Sequence, residues 1–279
     1  MKIVDVLNRF SKTTIGIVGF GHLGHSLAIP LARNGFPKDR LMISHGSSEA
    51  TRERAKMLGF GECLTDSCHL MSNADVIIVA IRPQDALALP RSGVKRAALV
   101  ISFMAGLPID LLEMVFGQGA KRMMCSGPDT ILSGRGVAAA YPADDRAIDV
   151  VRMMGMRAMS VGSEEELDSF TVGICIPPIL LNIAVREEEV LGGMKKMESR
   201  YPVYGQLSDW MRDVMRESPK DRDACLENVS TKGGISEAMT SALKSGSTFE
   251  AALSHGMERG REITAEVRKN ILLRHAANL

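Results

Sequence analysis

The chain has 279 residues, a length that suggests about two domains. Its 45% hydrophobic and 24% charged residues are ordinary for a globular protein. A net charge of +1 and only 4% aromatic residues supply neither the basic surface nor the stacking platform of a nucleic-acid binder, and no cationic face for a membrane.

Ile3, Val4, Leu7 and Phe10 recur at helical spacing and predict a short docked helix. The apolar stretch there is too short for a signal peptide, and no run reaches the ~20 residues of a membrane span, so a cytoplasmic protein is expected. Ile15, Ile17 and Val18 then lead into Gly19-x-Gly21-x-x-Gly24, with a helical segment over His25–Arg33. Strand, glycine turn and helix start form the dinucleotide fingerprint in its required context. Gly19 permits the turn, Gly21 lets backbone approach a pyrophosphate, and Gly24 lets helix and strand pack closely. With His22 and Leu23 between the glycines, this segment is assigned to the cofactor phosphates, which the helix N-terminus favours.

Strand and helix continue to alternate. Leu41–Ser44 reads as a strand and Ser48–Leu58 as a polar helix. Ala74–Ile81 and Ala98–Phe103 are apolar runs expected to be buried parallel strands. Helices are predicted over Pro108–Phe116, with Pro108 at the first helical position, and over Asp144–Met154. Arg122–Met124 and Val137–Tyr141 are weaker strand candidates. This alternation predicts a doubly wound α/β sheet, a Rossmann-type nucleotide domain over residues 1–162.

About 20 residues past the glycines, a free ribose 2′-OH normally meets a carboxylate. Here Ser44, His45, Ser47 and Ser48 come first, with Arg52 and Arg54 nearby. Hydroxyls and a guanidinium suit a 2′-phosphate, so NADPH is preferred, with NADH the alternative.

From Ser163 the pattern is helical to residue 279. Ser163 is a predicted cap, with Glu164, Glu165 and Glu166 favourably placed in the first turn. Ile179–Val185 is largely apolar, and Gly192-Gly193 suggests a break. Leu207, Trp210, Met211, Val214 and Met215 form one stripe. Ser247 and Glu250 read as a capping box ahead of a helix carrying Phe249, Leu253, Met257, Ile263 and Val267. Such wide stripes suggest an all-helical dimerisation domain over residues 163–279. The five cysteines, Cys63, Cys68, Cys125, Cys175 and Cys225, are too scattered for a disulfide framework, and no metal site is expected.

Four ordered motifs give the chain a specific likeness. I-G-I-V-G-F-G-H-L-G opens it; Ala80-Ile81-Arg82-Pro83-Gln84 resembles A-V-K-P-Q; Ile101-Ser102-Phe103-Met104-Ala105-Gly106 is similar to I-S-I-A-A-G; and Asn228–Ser236 resembles V-T-S-P-G-G-T-T. In that order and spacing they resemble the pyrroline-5-carboxylate reductase family. The resemblance implies reduction of a cyclic imine bearing a carboxylate by NAD(P)H, in a homodimer or ring of dimers. It places Ala80, Arg82 and Pro83 along the cofactor ribose and nicotinamide, with Met104, Ala105 and Gly106 near the nicotinamide. Gly233 and Gly234 would offer N–H groups to the carboxylate, and Thr231 and Ser236 are the candidate catalytic hydroxyls.

Three departures lie on the substrate side. Ser126 replaces an Asn of the family pattern that contacts the cofactor and substrate region, Ile174 and Ile176 replace glycines, and Lys232 replaces a proline. Lys232 and Ser126 are candidate substrate contacts, and Ile174 and Ile176 are expected to give the pocket a more apolar wall. A relative reducing another imine or carbonyl, or a nucleotide-binding regulator without turnover, remains a competing reading.

Overall fold

The computed structural model describes residues 3–45, 48–89, 93–117, 119–181, 183–216 and 233–277. Its first half is a seven-stranded sheet: β1 (Ile15–Val18), β2 (Leu41–Ser44), β3 (Val76–Val79), β4 (Leu99–Ser102), β5 (Lys121–Cys125), β6 (Val137–Tyr141) and β7 (Arg157–Ser160). The order is β2-β1-β3-β4-β5-β6-β7, and the chain reverses direction across the sheet between β1 and β3. Every pair is parallel except β5–β6, which is antiparallel, so the expected parallel sheet is a mixed one.

Period-two alternation assigns side chains to the two faces. Ile15, Ile17, Ile78 and Ile101 share one core with α1 (Ile3–Arg9), α2 (His22–Arg33) and α7 (Asp145–Met153). Val18, Ile77, Val79 and Val100 share the opposite core with α4 (Ser67–Asn73) and α5 (Ile109–Phe116). Gly16 permits that packing, since a Cβ there would lie 2.5 Å from Leu70 Cδ2. Between these helices run α3 (Glu49–Met57) and α6 (Pro128–Leu132). Pro108 is the N-cap of α5 rather than its first helical residue.

The remaining helices are α8 (Glu164–Ile174), α9 (Ile176–Leu180), α10 (Glu187–Arg200), α11 (Val203–Arg216), α12 (Ile235–Lys244) and α13 (Phe249–Ala277). Ser163 caps α8, accepting from Glu166 N–H at 3.1 Å. The three glutamates have separate duties. Glu164 pairs with buried Arg122, Glu165 accepts from Tyr201 Oη at 2.6 Å, and Glu166 accepts from Gly162 N–H at 2.8 Å. Arg122 also reaches Asp168 at 2.9 Å, joining β5 to α8. A third core holds these helices together and includes Val137 and Ala139 from β6, while Ala138 and Ala140 face the first core.

Two helical expectations are corrected. Gly192-Gly193 does not break α10; Gly193 lies where a Cβ would be 2.7 Å from the Phe249 ring, so the glycine serves helix contact with α13. The Ser247/Glu250 capping box does not form. Thr248 Oγ1 accepts from Ala251 N–H at 3.2 Å, Phe249 N–H donates to Glu189 at 2.7 Å, and Glu250 pairs with Lys196. Among the described residues, no helix is long and apolar enough to cross a membrane.

α13 links the two halves of the chain. It leaves the helical core, passes the loop after β4 and ends against the sheet domain, with Ile271 buried in the second core. Arg268 forms a two-pronged pair with Asp110, and Arg274 donates to the Gln84 carbonyl at 2.8 Å.

Candidate active site

The glycine turn follows β1 at the point where strand order reverses, the place where open α/β sheets bind ligands. Gly19 has φ +94° and donates its N–H to Ser44 O at 2.8 Å. A Cβ on Gly24 would lie 1.9 Å from Gly19 O, so only glycine lets α2 start this close to β1. Gly21 differs: a Cβ there would have nothing within 4 Å. Gly21 is the N-cap of α2 and no side chain caps it. The first turn of α2 thus presents free N–H groups to open space, a cradle that fits a diphosphate.

His22 and Leu23 lie in that turn, His22 exposed and Leu23 partly buried. Beside them stands His25, which sequence reasoning missed. Its Nδ1 donates to Gly21 O at 2.8 Å, and its ring stacks on His22 at 5.6 Å between centroids with 14° between planes. Burial, against the raising effect of the Gly21 bond, and then the charges of His22 and Arg54, hold His25 below its ordinary pKa. Two histidines three apart, straddling the third glycine, were the available signal.

At the end of β2, Ser44 is only 2% exposed and pairs with the Ser67 hydroxyl at 3.1 Å, so its hydroxyl is engaged inside the protein. His45 Nδ1 is shielded from solvent without a hydrogen-bond partner among the described residues. Ser48 caps α3 and Arg52 pairs with Glu49 at 3.5 Å. Ser47 lies outside the described residues.

Ala80 and exposed Arg82 come after β3, with Pro83 starting a short 3₁₀ helix over Pro83–Ala88. After β4, Met104 is buried, Ala105 exposed and Gly106 in a positive-φ turn. A Cβ on Gly106 would lie 2.9 Å from Ile263 Cγ2 on α13. Three residues earlier on α13, a Cβ on Gly260 would lie 3.5 Å from Ile235 Cδ1, at the start of α12. One turn of helix, about 5 Å, therefore separates the contacts of these two segments with α13.

At that start of α12, Gly233 has φ +72°. Its N–H donates to Glu237, and its carbonyl accepts from Arg259 Nε at 2.7 Å. Gly234 is the N-cap and has no side-chain cap. Ser236 is 8% exposed and touches the Cys175 thiol, whose ionisation burial pushes up despite that hydroxyl. Thr231 and Lys232 lie outside the described residues.

On the substrate side, two of the departing positions are engaged inside the protein. Ser126, 2% exposed, accepts from Thr130 Oγ1 at 2.7 Å and from Val137 N–H at 3.1 Å. Its hydroxyl ties the end of β5 to β6. Ile176 is wholly buried in the third core, and Ile174 is partly buried against it. Burial pushes the Cys125 thiol up to about 12, away from the thiolate form that acts as a nucleophile. No cluster of three or more metal-ligating side chains occurs among the described residues.

Residues 14–106 match the family model described as NADP oxidoreductase, coenzyme F420-dependent. Pyrroline-5-carboxylate reductase of Pseudomonas aeruginosa is 22% identical over 276 residues, covering 94% of this chain and 99% of that protein. The reductase of Aquifex aeolicus is 27% identical over 125 residues, a match spanning 45% of this chain and 46% of the relative. In fold, the chain is similar to the NADP-bound pyrroline carboxylate reductase of Plasmodium falciparum, with TM-score 0.56, 19% identity, and coverage of 90% of this chain and 98% of that one. A Rossmann-type sheet followed by helices thus accompanies similarity to pyrroline-5-carboxylate reductases along nearly the whole length, at low identity.

Proposed function

We propose that this chain is an NADPH-dependent reductase of a cyclic imine carrying a carboxylate, with pyrroline-5-carboxylate the leading substrate and proline the product. The observation that carries the reading is the contact of two segments on α13. The loop at Met104–Gly106 and the start of α12 at Gly233–Ser236 meet that helix within one turn. The first lies at the C-terminal edge of the sheet near the glycine turn; the second offers uncapped helix N–H groups.

In this reading the first turn of α2 holds the cofactor diphosphate, with Gly19, Gly21 and Gly24 shaping the approach. Ala80, Arg82 and Pro83 line the ribose, and Met104 and Ala105 back the nicotinamide. His45, Ser48, Arg52 and Arg54 surround the adenosine end, where no carboxylate precedes Glu49; this supports NADPH over NADH. When bound, the reduced nicotinamide supplies a hydride to the carbon of the C=N bond, and the nitrogen is protonated. The N–H groups at Gly234 and Ile235 receive the substrate carboxylate, and the Ser236 hydroxyl bonds either that carboxylate or the imine nitrogen. Thr231 and Lys232 complete the site as a second hydroxyl and a cation. Alignment of the two reactants is the main contribution asked of the protein. We assign residues 163–279 to the substrate and dimerisation half, and the assembly to a homodimer or ring of dimers.

Ser126 favours a second reading. It stands where the family pattern carries an Asn, yet its hydroxyl is used inside the β5–β6 junction. The site thus lacks an amide from that position, which suits a related imine or carbonyl of different shape. Loss of NADPH absorbance with pyrroline-5-carboxylate, compared with bulkier cyclic imines, decides between them. Turnover of the bulkier compounds alone selects the second reading; NADPH binding without turnover of any compound overturns both.

A further inference from the structure

We propose that His25 is a positioning residue of the nucleotide site, which holds the glycine turn in its binding shape and takes up a proton when the cofactor phosphates arrive. This rests on the assignment of the glycine turn to a dinucleotide and adds a group that the glycine fingerprint does not contain.

A carbonyl oxygen only accepts, so the 2.8 Å contact with Gly21 O requires the proton of neutral His25 to be on Nδ1. That bond fixes the carbonyl of the residue that caps α2, and so the direction of the free N–H groups after it. Nε2 is left with a lone pair, and it is the atom that gains a proton. The ring is held on two sides, by His22 stacked at 5.6 Å and by Phe20 edge-on at 6.2 Å.

The groups that act on the charge of His25 are its own burial, Gly21 O, the neighbouring His22 ring and Arg54 from α3. All but the Gly21 bond disfavour imidazolium, and together they hold the His25 pKa below its ordinary value in the free protein. The positive end of α2 works in the same direction. An anionic diphosphate at this turn reverses the balance, because an opposite charge nearby favours the protonated ring. His25 then has a low pKa in the free protein and a higher one in the complex. Between those two values, binding consumes a proton, and affinity rises by up to about tenfold for each unit that pH falls. Above both values, or below both, this group leaves affinity flat.

Calorimetric titration of the intact protein with NADPH, from pH 6 to 8.5 and in buffers of low and high ionisation enthalpy, counts the protons taken up. The His25→Asn variant keeps a donor for Gly21 O but has no titrating ring. The 2′-phosphate of NADPH titrates near pH 6 in both proteins, so their difference isolates His25. The expected result is proton uptake by the wild type in excess of the variant. With it comes a pH slope in affinity that the variant lacks, the two proteins converging at pH 8.5. Equal uptake and equal slopes overturn the proposal while leaving the nucleotide site intact. If the variant fails to fold, the same titration of the wild type with NADH, whose diphosphate does not titrate in this range, gives the count directly; zero uptake then overturns it. Failure of the wild type to bind either nucleotide overturns the dinucleotide reading itself.

Discussion

Gly21→Ala separates binding from stability at a single methyl group. Gly21 has φ −69° and ψ −159°, an extended conformation that alanine adopts without strain. Its Cβ would meet nothing within 4 Å. The apo protein should therefore change by no more than ~0.5 kcal/mol, as for a surface substitution away from any special contact. The methyl does, however, enter the space in front of the first turn of α2. A diphosphate displaced by it loses at least one charge-assisted hydrogen bond, worth about 1.5–3 kcal/mol, or roughly 10- to 150-fold in Kd. Gly24→Ala is the contrast, since its Cβ would lie 1.9 Å from the backbone oxygen of Gly19. Backbone does not swing aside as a side chain does, so α2 must move, at about 3 kcal/mol, the upper end of ordinary overpacking. Thermal unfolding of both apo variants, with fluorescence titration by NADPH, gives the two numbers. Gly21→Ala should unfold like wild type and bind weakly, whereas Gly24→Ala should fail in both. Wild-type affinity in Gly21→Ala would refute the assignment of this turn to the cofactor, and a large loss of its melting temperature would refute the open space in front of it.

Ser236→Ala should lower kcat at least tenfold and leave NADPH affinity within twofold, read from steady-state kinetics beside a binding titration; full activity removes Ser236 from the site. Gly193→Ala gains about 1 kcal/mol of helix propensity, but its Cβ would sit 2.7 Å from the Phe249 ring. A net loss of about 1–2 kcal/mol in denaturant unfolding is expected, and a gain would show that α10 and α13 are not packed through this glycine. Asp75 accepts from Lys95 Nζ at 2.5 Å and from Thr14 N–H at 2.9 Å, and the Lys95 bond foremost holds its pKa below the usual carboxylate value. A depressed folded-state pKa contributes stability above the unfolded value near 4, and that contribution is lost as pH falls through the folded one. Asp75→Asn should thus cost about 1–2 kcal/mol at pH 7 and much less at pH 3, and a cost independent of pH contradicts this role.

The elements legible from sequence are those whose cause is local. β1, the glycine turn and α2 announce themselves because strand period, positive φ and close packing act within a dozen residues, although α2 starts at His22 rather than His25. β3 and β4 read as buried strands because both faces of the sheet are covered. β7 and α4 went unseen: Arg157–Ser160 is short and largely exposed, and Ser67–Asn73 has too few turns to show a period. Where the partner is distant, local rules misled. Gly193 looks like a break until Phe249 is placed against it, and Glu250 looks like part of a capping box until Lys196 claims it. Ser126 could not be read as structural because Val137, which donates to it, belongs to the next strand. The approach of α12 to the Gly106 turn was also invisible, since it depends on the path of a 29-residue helix across both halves. Val267 was read as part of a helical stripe; that this end of the stripe faces the sheet domain emerged only from the fold.

Hydride transfer at the junction of the Met104–Gly106 turn and the start of α12 is tested most directly by isotope. NADPH deuterated at the reactive nicotinamide carbon is supplied with pyrroline-5-carboxylate as acceptor, and the product is read by mass spectrometry. One deuterium on carbon is predicted in each proline formed, with label transfer slowed in Ser236→Ala. NADPH bound tightly but no label in any product, from pyrroline-5-carboxylate or from the bulkier imines, would contradict hydride transfer at this junction.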